Sequence, residues 1–249
     1  MEHGGIFYYQ FIPGLNKFPM QVGNAILVSI ILLTLFVLGY LRIKKKGDDI
    51  VPDKKFTLLN FMELIVEMCI KLIEDNMGKI GRPLLYILGS LIIFILFNNL
   101  SGLVPGFVAP ATSNLNTTLA LALTVFFLYQ FYGFKVHGVK YLKHFTGPLL
   151  WLAPLMFPIE IIGHLARPMS LSLRLFGNMM GDHLVLAIFF LLAPLVVPLP
   201  IMFIGIFVSV IQTLVFVMLS MAYFSGAIES ENNEEEHELS PPDEVAEAA

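Results

Sequence analysis

Long apolar stretches, separated by short charged or loop-forming segments, dominate this sequence. No Asp, Glu, Lys or Arg occurs in residues 18–41, 83–134 or 183–228. Each of these stretches is long enough for at least one helix of about 20 residues, the length that crosses the hydrocarbon core of a bilayer. The pattern therefore predicts an all-α integral membrane protein.

Charges and turn-forming residues divide the apolar stretches into about five predicted spans. The second and third spans are separated by a loop rich in Gly, Pro and Asn, and the fourth and fifth by a cluster of prolines, which break helices. The spans are expected at residues 21–41, 83–100, 115–134, 148–192 and 200–228. We expect them to form a single membrane domain over residues 1–249.

Residues 56–80 are predicted to form a further, amphipathic helix. Glu63, Glu67, Lys71 and Glu74 recur there at helical spacing, with Leu, Ile, Met and Phe at the other positions. Such a helix lies along the cytoplasmic interface of a membrane. A helix packed against other protein explains the same pattern equally well.

The distribution of basic residues predicts the orientation of the chain. Arg and Lys are concentrated in residues 42–55 and 135–144, and cytoplasmic loops carry such an excess. Residues 1–20 are therefore expected outside the cell. Residues 229–249 carry nine acids and no Lys or Arg, and we expect a disordered cytoplasmic tail.

Composition excludes several classes of protein. The chain has 249 residues, of which 57% are hydrophobic and only 14% charged, which argues against a soluble globule. Its basic residues do not form the basic face of a soluble nucleic-acid-binding fold, so no nucleic-acid partner is expected. A single cysteine, Cys69, excludes an internal disulfide and a multi-cysteine metal site.

The fourth span is too long to stand upright in a bilayer. A helix over residues 148–192 measures about 68 Å at 1.5 Å per residue, against a hydrocarbon core of roughly 30 Å. Pro154, Pro158 and Pro168 allow kinks. One strongly tilted or curved helix is one solution, and two helices broken near Arg167 and Pro168 are the other.

The same segment concentrates polar residues, which are costly at membrane depth and therefore point to a function. On an ideal helix, six of them share a sector about 80° wide, and His183 lies outside it. The six are Glu160, His164, Arg167, Arg174, Asn178 and Asp182. Carboxylates and histidines suit proton relays, and a guanidinium suits an electrostatic gate. A buried structural ladder of ion pairs is the alternative, and Glu160 with His164 is its best candidate pair.

The order of these residues predicts two separate half-paths for an ion. If the helix runs from the cytoplasm outward, Glu160 lies toward the inside and Asp182 with His183 toward the outside. Arg174 lies between them, where the two half-paths would end. Gln212, an amide in the apolar final span, either hydrogen-bonds to this stripe or simply joins two helices.

Several long strings of residues identify a resemblance to a known family. They are IEIIGHLARPMSLSLRLFGNMMGDHLVLAIF, NNLSGLVPG, PATSNLNTTLALAL and IQTLVFVML. With them the chain resembles, over nearly its whole length, subunit a of bacterial F-type ATP synthases, the stationary half of a membrane motor. The string RPxSLxLRLFGN is the most specific of these motifs.

The resemblance implies a mechanism and a set of partners. Arg174 would face a rotating ring of c subunits, each with one membrane-embedded carboxylate. A proton would enter an outer half-channel, neutralise that carboxylate and leave through an inner half-channel, while Arg174 blocks a direct proton leak. The resemblance further implies a long, nearly horizontal helical hairpin, peripheral-stalk b subunits, an indirectly attached F1 sector and a bacterial inner-membrane location. The chain would translocate ions without being catalytic alone.

The resemblance also assigns the remaining polar residues. Asn178 and Gln212 take polar positions near the arginine, and Glu160 takes the acidic position of the inner half-channel. His164 and Arg167 are further candidates for the proton pathway.

The chain departs from the family pattern at the outer half-channel. Several members have a glutamate in place of His183 and a histidine in place of Gly205. Because Asp182 precedes His183 here, we expect Asp182 and His183 to form the outer relay.

Two other functions compete with this interpretation. A transporter of ions or small acids without a rotor would be favoured by inverted repeats, and the sequence shows no convincing repeat. A metalloenzyme would need ligands closer together than His164 and His183, which are 19 residues apart on one helix. No Gly-rich phosphate loop is present, so we expect this chain to bind neither ATP nor any cofactor or metal.

Overall fold

A computed structural model describes residues 19–46, 58–103, 110–138, 141, 153–193 and 197–229. Within these residues every regular element is helical, which confirms the predicted all-α membrane fold. The α-helices are α1 (Met20–Lys46), α2 (Leu58–Met77), α3 (Leu85–Ser101), α4 (Leu115–His137), α5 (Ala153–Leu192) and α6 (Pro198–Glu229). Two 3-10 helices cover Gly78–Leu84 and Ala111–Ser113.

Five of the described helical segments are long and apolar enough to cross a membrane. They are Val22–Lys44, Gly81–Ser101, Leu115–His137, Met156–Leu192 and Pro198–Ile228. The helix α2 is not among them, in agreement with its mixture of charged and apolar residues. The prediction of five spans and one amphipathic helix is therefore confirmed.

One side of α2 packs on protein and the other is exposed. Cys69, Ile73 and Met77 are buried, and α2 contacts α1, α3 and α6. Leu64 and Met68 lie on the opposite, exposed side. The helix thus packs against the spans, as the second explanation of its pattern requires, and its other side carries exposed apolar residues.

The core lies where α3, α4, α5 and α6 meet. Aromatic side chains occupy its centre, and Tyr129, Phe216 and Phe224 are almost completely buried. Helix α6 contacts α2, α3, α4 and α5, whereas the main contacts of α1 are with α2, α3 and the 3-10 helix Ala111–Ser113. The last two spans are thereby held on one side by the other helices, and α1 lies at the periphery.

The long helix α5 is continuous through both of its internal prolines, Pro158 and Pro168. A proline removes one backbone hydrogen bond and bends a helix, but does not have to end it. The 40 residues of α5 measure about 60 Å, twice the thickness of a hydrocarbon core, so the helix must be strongly tilted in a bilayer. It contacts α6, which begins after five intervening residues, so the two form a hairpin. Of the two solutions left open by the sequence, the single helix is the one observed.

Several predicted segments lie outside the described residues. They are most of the N-terminal segment, 1–18, most of the first basic loop, 47–57, and the acidic tail, 230–249. The first five residues predicted for the long helix, 148–152, are outside as well. The helix as described begins at Ala153.

Candidate functional site

Arg174 lies in the middle of α5 with its side chain exposed. It has neither a hydrogen bond nor an ion pair with any described residue. Leu173, Leu184 and Ile188 are exposed on the same side of the helix, with exposed fractions of about one half. A permanently charged guanidinium on an apolar surface of a membrane helix is costly unless a partner with negative charge meets it. This surface therefore has the chemistry of a docking face for a carboxylate.

One turn after Arg174 along α5, a hydrogen bond joins α5 to α6. The side-chain nitrogen of Asn178 donates to the side-chain oxygen of Gln212. Gln212 is buried, and its own side-chain nitrogen has no hydrogen-bond partner among the described residues. Gln212 thus hydrogen-bonds to the polar stripe and joins two helices by the same contact. This contact fixes the position of α6 beside Arg174.

Toward the predicted outer end of α5, Asp182 and His183 line the same crevice. Asn99 and Ser209 contribute to the wall of this crevice. Oδ2 of Asp182 and Nδ1 of His183 are buried atoms without a hydrogen-bond partner in the described residues. Two adjacent titratable groups with unused polar atoms in one crevice are suited to take up and pass on protons.

A buried polar network that the sequence analysis did not predict supports this crevice. Asn99 donates a hydrogen bond to Thr213 at 3.4 Å and accepts one from Thr112 at 2.8 Å. Thr213 in turn donates to the backbone oxygen of Ser209 at 2.8 Å. The network fixes α3 against α6 and the 3-10 helix Ala111–Ser113. The sequence feature that could have revealed this network is a polar residue in an apolar span, as for Gln212.

Helix α6 offers no side chain to the crevice at Gly205. A Cβ atom added to Gly205 would lie only 2.5 Å from Cδ2 of Leu103. Leu103, which also lines the crevice, therefore fills the space that a larger residue would need. The titratable groups of the crevice, Asp182 and His183, both belong to α5. This agrees with the sequence, which has Gly205 on α6 where several family members have a histidine.

Toward the predicted inner end of α5, Glu160 and His164 form a pair. Nδ1 of His164 lies 3.3 Å from Oε1 of Glu160 and 3.1 Å from its backbone oxygen. The His164 side chain is buried, whereas about a third of the Glu160 side chain is exposed. The carboxylate is thus fixed by a histidine on one side and remains accessible on the other.

Arg167 is the remaining polar residue of the stripe, and it is held by aromatic side chains. Its guanidinium carbon lies 5.6 Å from the centre of the Tyr223 ring, a cation–π contact. Among the described residues, the ion pair between Glu160 and His164 is the only one within the stripe. A continuous ladder of ion pairs along α5 is therefore not present there.

The three parts of the site are well separated along α5. Fourteen residues separate Glu160 from Arg174 and eight separate Arg174 from Asp182, which correspond to about 21 Å and 12 Å of helix. Both titratable sites are thus too far apart for direct proton transfer past Arg174. A tilted helical hairpin with titratable groups on both sides of an exposed arginine has the chemistry of an ion-translocating membrane subunit.

Comparison with known proteins gives the family. The family model described as ATP synthase A chain matches residues 24–225, so the chain belongs to that family. Members of this family form the proton channel of the membrane sector of ATP synthase and are not catalytic alone. The comparisons give no support to a transporter that works without a rotor.

Curated bacterial relatives agree with the family model. The chain is 46% identical to ATP synthase subunit a of Geotalea daltonii over 232 residues, which are 92% of this chain and 99% of the relative. It is 48% identical to ATP synthase subunit a of Geobacter sulfurreducens over 224 residues, 90% of this chain and 97% of the relative. Together with the five apolar helices, these relatives support a multi-pass protein of the bacterial inner membrane.

Proposed function

We propose that this chain is the stationary channel of a proton-driven rotary motor, in which Arg174 faces the membrane-embedded carboxylates of a ring of c subunits. The observation that supports this most strongly is the exposed, unpaired side chain of Arg174 on an apolar face of α5. The charge of an arginine is permanent, so it attracts only the ionised form of a passing carboxylate.

The strength of this attraction fits a transient pair. At 4 Å and an effective dielectric constant of about 20, two unit charges attract each other by about 4 kcal/mol. Desolvation of both groups opposes this gain and can exceed it. A carboxylate would therefore pair with Arg174 during passage and would leave once it is protonated. This behaviour permits rotation while Arg174 prevents protons from crossing directly.

The surface around Arg174 allows a neighbouring helix to come close. Ser170 and Gly177 are exposed on the same side of α5. A Cβ atom added to Gly177 or Gly181 would meet no atom within 4 Å. Small residues at helix interfaces in membranes let backbones approach each other. A ring helix could thus bring its carboxylate to the guanidinium.

Asp182 and His183 are proposed to deliver protons from the outside, and Glu160 to receive them on the inside. The two unpartnered polar atoms in the outer crevice support the first role. The partly exposed Glu160 carboxylate supports the second, with His164 as its fixed neighbour. Asn178 and Gln212 connect α5 to α6 between these two sites.

The partners and the orientation are part of the same proposal. The c-ring would contact the Arg174 face, peripheral-stalk b subunits would fix this chain, and the F1 sector would be attached indirectly. The basic residues in segments 42–55 and 135–144 support an outer N-terminus and a cytoplasmic C-terminus.

Purification of the chain from its native membrane tests this function. We expect a ring of small proteolipids and a nucleotide-hydrolysing complex to copurify with it in fixed proportion. Recovery of the chain without either of them, but still able to transport ions in vesicles, would contradict the proposal.

A further inference from the structure

Arg167 lies two turns from Arg174 on nearly the same edge of α5, yet its surroundings differ. Arg167 is half-buried, and its guanidinium stacks on the ring of Tyr223 from α6. Tyr129 of α4 lies close enough to the guanidinium to interact with it electrostatically. Arg167 is therefore held between two neighbouring helices, whereas Arg174 is not.

The positive charge of Arg167 is not neutralised by a carboxylate in the described part of the chain. The charged and titratable groups near it are Tyr129, Tyr141, Tyr223, Glu160 and His164. The only carboxylate among them, Glu160, lies 3.3 Å from Nδ1 of His164 and forms no ion pair with Arg167. An aromatic ring attracts a cation through its quadrupole and leaves the net charge in place. A fixed positive charge thus remains between Arg174 and Glu160.

The tyrosines also prevent Arg167 from acting as a second Arg174. A free arginine beside the path would swing toward an ionised carboxylate and hold it. Because its guanidinium is half-buried over the Tyr223 ring, Arg167 acts on that carboxylate through its electric field.

We propose that Arg167 is a fixed electrostatic residue that lowers the proton affinity of the rotor carboxylate on the inner side of Arg174. Proton release toward Glu160 is favoured as a result. This inference rests on the function proposed above and assigns to the two arginines different tasks: Arg174 pairs with the carboxylate, and Arg167 favours its ionisation.

The separation of the two arginines sets the size of the effect. Seven residues of helix correspond to about 10 Å. A unit charge at this distance, with an effective dielectric constant of about 20, changes the proton affinity of a carboxylate by roughly tenfold, or about one pKa unit. A change of this size is measurable as a shift of a pH profile.

Proton-driven ATP synthesis by the complete complex in vesicles tests the inference. The rate is measured as a function of the inner pH, at fixed outer pH and fixed membrane potential, and the midpoint is compared between variants. Arg167→Gln should move the midpoint upward by about one pH unit, because release then requires a lower inner proton concentration. Arg167→Lys, which keeps the charge, should stay near the parent midpoint. Arg82→Gln is the matched control, because it removes a positive charge from an exposed pair with Glu74 outside the stripe.

Each result decides for or against the role of Arg167. An unchanged midpoint in an assembled Arg167→Gln complex, or an equal shift with Arg82→Gln, would overturn it. If Arg167→Gln does not assemble, Arg167→Met replaces it, since a flexible apolar chain fills the same space. The inference would also be overturned if neither neutral variant assembles into the complex while Arg167→Lys assembles normally. The positive charge would then be required for assembly. ATP synthesis by Arg174→Ala at the parent rate would instead refute the proposed function itself.

Discussion

Asn178 donates a side-chain hydrogen bond to Gln212 across the interface between α5 and α6, one turn after Arg174 along α5. A hydrogen bond between membrane helices contributes about 0.6 kcal/mol on average and up to about 1.7 kcal/mol. This contact is therefore too weak to hold the hairpin alone. It helps to set the distance between α6 and the guanidinium of Arg174.

A double-mutant cycle on Asn178 and Gln212 should show this coupling. We expect Asn178→Ala and Gln212→Ala each to lower the free energy of unfolding by about 1 kcal/mol, and the double variant by less than their sum. Denaturant unfolding of the purified chain in detergent measures these values. Strict additivity of the two changes would show that the side chains do not interact.

Removal of either titratable group in the outer crevice should slow proton uptake. Asp182→Asn retains the shape of the side chain but not its ability to ionise, and His183→Ala removes the neighbouring imidazole. Because positioned acid–base groups contribute about a hundredfold or more, we expect ATP-driven proton pumping to fall at least tenfold in each variant. Pumping at the parent rate in both, with normal assembly, would make these residues structural.

The contact between Gly205 and Leu103 predicts a size relationship between the two positions. Gly205→Ala places a methyl group 2.5 Å from the present position of Leu103 Cδ2. We expect it to destabilise the chain by about 1 kcal/mol or more, as overpacking does. Gly205→Ala should cost less free energy of unfolding in a chain that already carries Leu103→Ala than in the parent chain. A cycle without any coupling would contradict the close packing of these residues.

Labelling of single cysteines tests the proposed orientation. Cys69 is buried, and burial raises the pKa of its thiol, so this cysteine reacts slowly. Cys69→Ser removes it and gives a background without any other cysteine. A cysteine at the exposed Asn116 should react with an impermeant reagent from outside the cell, and one at Ser240 only from the cytoplasmic side. Reaction of both from the same side would contradict the five-span orientation.

The sequence was sufficient for the spans, because charges are excluded from a bilayer and their gaps are visible in one sequence. It could not decide whether Pro158 and Pro168 end the long helix, since a proline bends a helix as readily as it breaks one. Tertiary contacts of α5 with α4 and α6 supply the missing information.

The candidate site was only partly predictable for a similar reason. An ideal helix places Glu160, His164 and Arg174 in one narrow sector, but this sector straddles the boundary between the buried and the exposed side of α5. His164 is buried, Glu160 is partly exposed and Arg174 is exposed. Which side of a helix packs on its neighbours depends on residues far away in the sequence. For the same reason the Asn99 network and the tyrosines around Arg167 could not be predicted.

Arg174 is the residue on which the account depends most. Its side chain is exposed and has no partner in the described chain, so Arg174→Ala should change the stability of the chain itself by only about 0.5 kcal/mol. If Arg174→Ala abolishes function, the cause is therefore not unfolding or degradation of the chain. Arg174→Lys keeps a positive charge but loses the planar guanidinium and can lose its proton when desolvated.

The most direct measurement is proton-driven ATP synthesis by assembled complexes that carry Arg174→Ala, together with passive proton leak through the same vesicles. We predict that synthesis is abolished in Arg174→Ala and in Arg174→Lys, and that Arg174→Ala in addition lets protons leak between the two half-channels. ATP synthesis at the parent rate in an assembled Arg174→Ala complex would contradict the account.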